Sequence, residues 1–440
     1  MTSRGKIITW VGVGLGAALL ALVVAGRVLL NGDRYRGKAI ALLQERTGKP
    51  AEIGRIWVTW FPMVVHVEGF GLRNVAPFPD GYLVKVRRID AELDARELWR
   101  RRVVVRSLTL DGAEVRPTSD PDGPWNFENP DAKAAGGGFS VGEIGKVSVR
   151  GGQLVASNLL PSNAPAPVFF EAHNIAGEFD HVNVDAMIDP AASAMGGQGG
   201  VTAERLSFGA VDAKNLSFQL QLWARQIFLG DVKAAVCGGK ASGALFFDLT
   251  KKRPAFRTNA NFSGVDVVGV LEPFENGRGK MTGRMEGDLT LAGEIQHTHR
   301  PLAGIRGSGH VTVKQGRLSS VAFNQDLMKL VHFNNLGPAK DNPSSFSRIS
   351  TDVELANLRI TSKTIDIDGY GVDVDATGSV NVDGSDEIDY QGLARITTKQ
   401  GFFTNTFARF AGAKVEGGLL TFPFRVGGTI GTPVFAKGTR

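Results

Sequence analysis

The sequence predicts a mainly β protein with an N-terminal transmembrane helix and a few short helices. Three observations carry this. Within Gly371–Gly384, Val372, Val374, Ala376, Val380 and Val382 share one parity, and Asp373, Asp375, Thr377, Ser379, Asn381 and Asp383 share the other. A period of two belongs to a strand with one oily and one polar face. The chain carries 56 glycines in 440 residues, many of them set between short alternating runs, as in a protein built from hairpins. Residues Ile7 to Gly26 are apolar except for Thr9, and about 20 such residues span a bilayer core as a helix. A sheet with one oily face must place it against something other than water.

In chain order, the span comes first. Arg4 and Lys6 precede it, and Arg27, Arg34, Arg36 and Lys38 follow, so flanking charge does not fix its orientation. It reads as an uncleaved anchor, although Val23-Val24-Ala25 has the form of a signal cleavage site. Gly12 and Gly16 make a GxxxG within the span, a helix-pairing face or merely a tolerated glycine pair. Arg34–Arg46 reads as a short amphipathic helix with Ile40, Leu42 and Leu43 on one side, stopped by Gly48 and Pro50. Strands follow: Val65 to Gly69, Phe70 to Asn74 and Val84 to Leu93. A short helix, Ala95 to Arg101, precedes the strand Val103 to Leu110. Asp111-Gly112 reads as a hairpin turn into Ala113–Arg116.

Residues Asn129–Ser140 and Asp189–Gly200, rich in small residues, read as loops. Between and after them come the runs Val147 to Val155, Val168 to Phe179 and Arg205 to Ala224. In the last, Leu216, Phe218, Leu220 and Leu222 face away from Ser217, Gln219 and Gln221. From Gly238 a loose repeat sets a glycine bend before each alternating strand. Gly239 and Gly243 precede Leu245, Phe247 and Leu249; Gly283 and Gly287 precede Leu289 and Leu291; Gly307 and Gly309 precede Val311 and Val313. Two helical islands, Phe323–Phe333 and Phe403–Ala411, read as plugs of the sheet or as ordinary core helices. The segmentation expected is an anchor (1–32), an N-terminal β/α segment (33–128), a middle β segment (129–303) and a C-terminal β segment (304–440).

The formal net charge of +6 is too diffuse to argue for nucleic acid, though it suits anionic lipid. One cysteine, Cys237, excludes an internal disulfide and reads as a small buried or half-buried residue. His297 and His299 lack a third ligand at metal-site spacing. Gly12-x-Gly14-x-Gly16 sits inside the span and not after a strand, so it is no dinucleotide fingerprint. Asp366, Asp368, Asp373 and Asp375 lie opposite the oily positions and read as a solvated face. Arg96, Arg100, Arg101, Arg102 and Arg106 form the densest basic group; they are solvated edge charge or candidates for contact with lipid headgroups or a partner. These residues argue for no enzyme, no cofactor and no metal.

Certain blocks, taken in order, resemble the AsmA-like family of Gram-negative envelope proteins. At the N terminus they are the anchor, Gly69-Phe-Gly-Leu-Arg-Asn74, Ile89-Asp-Ala-Glu-Leu-Asp-Ala-Arg-Glu-Leu-Trp99, Val105–Val115 and Asp122-Gly-Pro-Trp-Asn126. Toward the C terminus they are Gly307–Leu318, Asp326-Leu-Met328, Ala376–Val380 and Gly417–Pro433. Between Phe139 and Arg300 only the texture matches. The resemblance implies an inner-membrane anchor with the bulk of the chain in the periplasm, and an elongated, curved antiparallel β-sheet groove, taco-like, with an apolar lining. It implies phospholipid transport between inner and outer membranes, or a non-transporting scaffold for outer-membrane protein assembly or targeting. Partners would be phospholipid acyl chains, the inner membrane and an outer-membrane or periplasmic protein.

A phospholipid leaving a bilayer exposes roughly thirty methylenes, at about 0.8 kcal/mol each a cost of roughly 25 kcal/mol. A barrier of that height allows one escape on the order of days. An apolar groove removes most of it without a catalytic residue. Its expected lining is Leu216, Phe218, Leu220, Leu222, Leu245, Phe247, Leu249, Leu289, Leu291, Val311, Val313, Val372, Val374, Val380, Val382, Phe422, Phe424 and Val426. The same residues would otherwise pack against each other in a closed sandwich.

Overall fold

The structure, a computed structural model, describes residues 32–100, 104–120, 125–126, 143–159, 165–183, 195–208, 211–223, 226–248, 250, 255–272, 277–294, 304–319, 344–369, 372–397, 413–416 and 419–438. The predicted span, the loop 129–140, both helical islands, His297 and His299 lie outside these residues. No helix among the described residues is long and apolar enough to cross a membrane. The chain forms two compact units, residues 1–234 with 244–255, and residues 235–243 with 256–440. Each is built mainly of antiparallel strands.

The first unit opens with α1 (Gly32–Thr47), which buries Ala39 and Leu43. Thr47 closes the helix by donating its hydroxyl to the Leu43 carbonyl at 2.7 Å. Then come β1 (Ala51–Glu52), β2 (Arg55–Trp60), β3 (Met63–Arg73) and β4 (Tyr82–Leu93). After α2 (Ala95–Trp99) follow β5 (Val105–Val115), β6 (Thr118–Ser119), β7 (Glu143–Leu159), β8 (Pro165–Asn183), β9 (Met195–Phe208) and β10 (Val211–Trp223). β3 pairs with β1, β2 and β4, and β4 with β5; β7, β8, β9 and β10 pair in sequence. These pairings are antiparallel. β5 meets β7 in parallel, with Ser107 opposite Lys146.

Asp111-Gly112 is therefore not a hairpin turn. β5 runs straight through it, and Gly112 takes a left-handed conformation (φ 63°) within the strand. The reason is sheet-wide. Left-handed residues occur at Gly69 (φ 65°) in β3, Gly151 (φ 58°) in β7, Asn174 (φ 50°) in β8 and Asn215 (φ 53°) in β10. Register places them in a line across the unit, Gly69 and Gly112 both facing Arg87, and Gly112 level with Gly151. At this line the core-facing parity of every strand changes: Val65 and Val67 give way to Phe70 and Leu72, Leu108 and Leu110 to Ala113 and Val115, and Val147 and Val149 to Gly152 and Leu154. A left-handed residue inside a strand bends it and raises its local twist. The line is thus a crease, and the parity change keeps the apolar residues on one face across it.

The segment Asp189–Gly200 also departs from its reading as a loop, since Met195–Gly200 begins β9. Gly199 is required there because a Cβ would stand 1.9 Å from the Glu178 carbonyl oxygen.

Three further strands follow: β11 (Gln226–Val236), β12 (Gly239–Asp248) and β13 (Ala255–Asp266), the last capped into the five-residue α3 (Val267–Leu271) by the Asp266 carboxylate. The second unit continues with β14 (Met281–Glu294), β15 (Arg306–Leu318), β16 (Ser345–Ala356), β17 (Arg359–Gly369), β18 (Val372–Asn381) and β19 (Ile388–Thr397), then β20 (Lys414–Glu416), β21 (Leu419–Gly428) and β22 (Pro433–Lys437). β14 to β19 pair antiparallel in sequence, β19 pairs with β21, and β21 with both β20 and β22.

The glycine bends expected before each strand are strand positions instead. Gly307 and Gly309 lie inside β15 and face Leu291 and Leu289, whose Cδ2 atoms occupy the space a Cβ would need. Gly378 lies likewise under the Tyr390 ring. A large side chain folding over a cross-strand glycine covers backbone that would otherwise be exposed.

Candidate functional site: one apolar face and one polar face

Residues directly opposed on neighbouring strands share a face, so the registers define each face row by row. In the first unit one row reads Val58, Val65, Ala91, Leu108, Val147, Phe179, Gly199 and Leu220, from β2 to β10. In the second, one row reads Met285, Val313, Ile349, Ile367, Val374, Ala394 and Phe422, from β14 to β21. Two strides along, Leu289, Gly309, Val353, Ser362, Gly378, Tyr390 and Val426 form another. The apolar face is continuous over every strand of these rows.

Its burial is uneven. Leu216, Phe218, Leu220 and Leu222 share one face of β10 and are half-buried. Leu245 and Phe247 are half-buried in β12, as are their neighbours Phe246 and Asp248, so burial does not separate the faces there. Leu249 lies outside the described residues. Leu289, Leu291 and Val311 are half-buried, and Val313 is buried. Val372 and Val374 are each 1% exposed, and Phe422 and Phe424 1% and 2%. With Val426, Ala394, Ile396, Ala413 and Leu420 they form an enclosed hydrophobic cluster. Val380 and Val382 are half-buried, Val382 just beyond the end of β18. Ile349, Val353, Leu355, Ile360, Ile365 and Ile367 belong to the same face and escaped the sequence reading. Their alternation was visible in Ile365-Asp-Ile367-Asp, but it changes parity at Lys363–Thr364, where the register with β18 shifts.

The opposite face is a lattice of ion pairs. Asp366 faces Asp375 and Asp368 faces Asp373 across β17 and β18. Arg348 donates to Asp368 at 2.8 Å, and Arg395 donates to Asp375. A hydrogen bond donated by the protonated Asp366 carboxyl to Asp375 holds the Asp366 carboxyl above the usual aspartate range. In the first unit His66 Nδ1 lies 2.6 Å from Asp90, Arg88 donates to Asp90 at 2.9 Å, and the Trp57 ring stacks on His66. A cleft of about 860 Å³ opens between β7 and β11, lined by polar residues such as Arg150, Glu178, Gln219 and Asp231 and by the apolar Val149, Leu220 and Phe228. Among the described residues no cluster of His, Cys, Asp or Glu is arranged to hold a metal ion.

Of the basic group, Arg96, Arg100 and Arg106 are exposed. Arg100 pairs with Glu97 at 2.7 Å, and Arg106 with Asp94 at 2.8 Å. Asp94 caps α2 by accepting from the Arg96 and Glu97 backbone N–H groups, and its bond from Arg106 is the main cause of a carboxyl held below the usual range. Arg101 and Arg102 lie outside the described residues.

The AsmA family model matches residues 1–134. No curated protein matches the chain. The matched stretch takes in α1, the strands β1 to β6, the crease residues Gly69 and Gly112 and the α2 turn, so the N-terminal part of the chain is similar to the AsmA family.

Proposed function

We propose that the chain is an inner-membrane-anchored, periplasmic carrier that moves phospholipid along its apolar face between the inner and outer membranes. The observation that supports this reading is the continuity of an apolar face across the strands within each unit, combined with the half-burial of Leu216, Phe218 and Leu220 in the first unit and of Leu289, Leu291 and Val311 in the second. Side chains already removed from most water, yet with accessible surface left, can take up acyl chains at little desolvation cost. The crease supports the same reading, because bending every strand along one line turns a sheet face toward itself. Carriage of this kind needs shelter for methylenes and no reacting group.

A second reading is a tethered scaffold for outer-membrane protein assembly or targeting. The enclosed cluster around Val374 and Phe422 favours it, since that part of the face is already covered by the protein itself.

The test is mass spectrometry of the full chain purified from membranes in mild detergent. Carriage predicts retained phospholipid, and its loss in a Leu220→Asp/Leu289→Asp variant that stays folded. A lipid-free wild-type protein overturns carriage and leaves the scaffold.

A further inference from the structure

Three large aromatic side chains stand in solvent: Trp60 is 53% exposed, Phe61 97% and Trp99 91%. The registers bring them to one end of the first unit. Trp60 pairs with Met63 at the β2–β3 turn. Val64, next along β3, faces Glu92 near the end of β4. Leu93 faces Val105 at the start of β5, and α2 fills the short connection between them. The turn carrying Trp60 and Phe61 and the helix carrying Trp99 therefore emerge side by side.

The α2 turn is fixed. Asp94 caps it, Arg106 holds Asp94 from β5, the Asp94 N–H donates to the Val104 carbonyl at 2.9 Å, and Leu98 packs on the core. With Leu98 turned inward, Trp99 is left in water beside Arg96 and Arg100. Bare Trp and Phe next to arginine at the rim of a sheet match the chemistry of a bilayer interface, where aromatic rings settle at headgroup depth and guanidinium groups meet lipid phosphate.

The path of the chain points the same way. α1 packs along β2, and Arg36 reaches the Gly54 carbonyl at 3.0 Å while Thr47 leads into β1 at the far end of β3. Its N terminus is thus directed toward the β2–β3 turn, and the apolar stretch Ile7–Gly26 precedes it in sequence.

We propose that this end of the first unit, presenting Trp60, Phe61 and Trp99 with Arg96 and Arg100, is a membrane-docking surface that seats on an anionic phospholipid bilayer. Docking does not rest on lipid carriage, since a tethered scaffold would use the same surface.

The test uses the full chain in a Trp10→Phe background, which removes the tryptophan of the apolar stretch. The protein is reconstituted in nanodiscs of phosphatidylcholine and phosphatidylglycerol with brominated acyl chains. Bromine should quench the tryptophan emission, and Trp60→Phe/Trp99→Phe should remove most of that quenching without lowering the thermal midpoint. Replacing phosphatidylglycerol with phosphatidylcholine, or Arg96 and Arg100 with Gln, should weaken it. Equal quenching with and without Trp60 and Trp99, or none at all, overturns the proposal. Carriage is read separately, from phospholipid that stays with the full chain on purification, so the failure of docking and the failure of carriage read differently.

Discussion

At the scale of the residue, the polar face sets its own pH response. Asp366 and Asp375 stand directly opposite each other, and the hydrogen bond that protonated Asp366 makes to Asp375, with partial desolvation and the like charge of Asp375, raises the Asp366 carboxyl above its ordinary range. The folded state therefore keeps a proton on Asp366 that the unfolded chain has already released. Stability from this pair is present below the ordinary aspartate range and is lost as pH rises through the raised value. Asp366→Asn removes the like charge. Both groups are largely exposed, so the gain is a few tenths of a kcal/mol. The thermal midpoint of the variant should match wild type near pH 3.5 and exceed it at pH 7. A gain that is constant with pH would show that the pair does not share the proton. The neighbouring carboxylates behave in the opposite sense. Asp389, bonded to Arg425, and Asp352, bonded to His310, are held below the usual range, and what they contribute is lost on acidification.

At the scale of the element, the crease makes the strongest demand on sequence. A left-handed residue is needed in β3, β5, β7, β8 and β10, and the chain uses Gly or Asn in each, the two types that reach this conformation at least cost. Gly112→Val puts a branched side chain at φ 63° and a Cβ 3.1 Å from the Arg87 Cβ, and should cost about 2 kcal/mol. Gly112→Asn should cost much less, because Asn already does this work at Asn174 and Asn215. Urea midpoints of the two variants decide it, and equal losses would mean that lack of space, not backbone conformation, governs the site. The same feature marks how far the sequence could be read. Alternation over Val372–Val380 and Leu216–Leu222 was plain, and each stretch lies within a single strand. The break at Asp111-Gly112 has the composition of a hairpin turn, and only the unbroken register with the neighbouring strands shows that it is a left-handed position inside one strand. The strand glycines misled for the same reason: Gly307 and Gly309 are explained by the close approach of the Thr290 and Asp288 carbonyl oxygens and of the Leu291 and Leu289 side chains on the partner strand, a relation with no local trace.

At the scale of the molecule, the two units have separate cores. One gathers α1, β2 to β5 and β7 around Val65, Phe70, Ile89 and Leu108; the other gathers β18, β19 and β21 around Val374, Ala394 and Phe422. Trp57, Trp60, Trp99, Trp125 and Trp223, all the tryptophans among the described residues, belong to the first unit, and Trp10→Phe removes the sixth from the signal. Tryptophan emission thus reports that unit alone, while far-ultraviolet circular dichroism reports the strands of both. If the cores unfold independently, the two signals give non-coincident transitions in urea, the signature of departure from two-state behaviour. Val374→Asp makes the sharper version. Burying a carboxylate at a position 1% exposed costs about 3 kcal/mol or more. It should pull part of the dichroism transition to lower urea and leave the fluorescence transition in place. A fluorescence midpoint that falls equally would mean that the units unfold as one. The outcome also governs how lining substitutions are read. Because Val374 sits in closed core, lost activity in Val374→Asp reports a damaged unit, whereas Leu289→Asp changes the polarity of the half-buried face with little loss of packing, and is the substitution from which carriage can be judged.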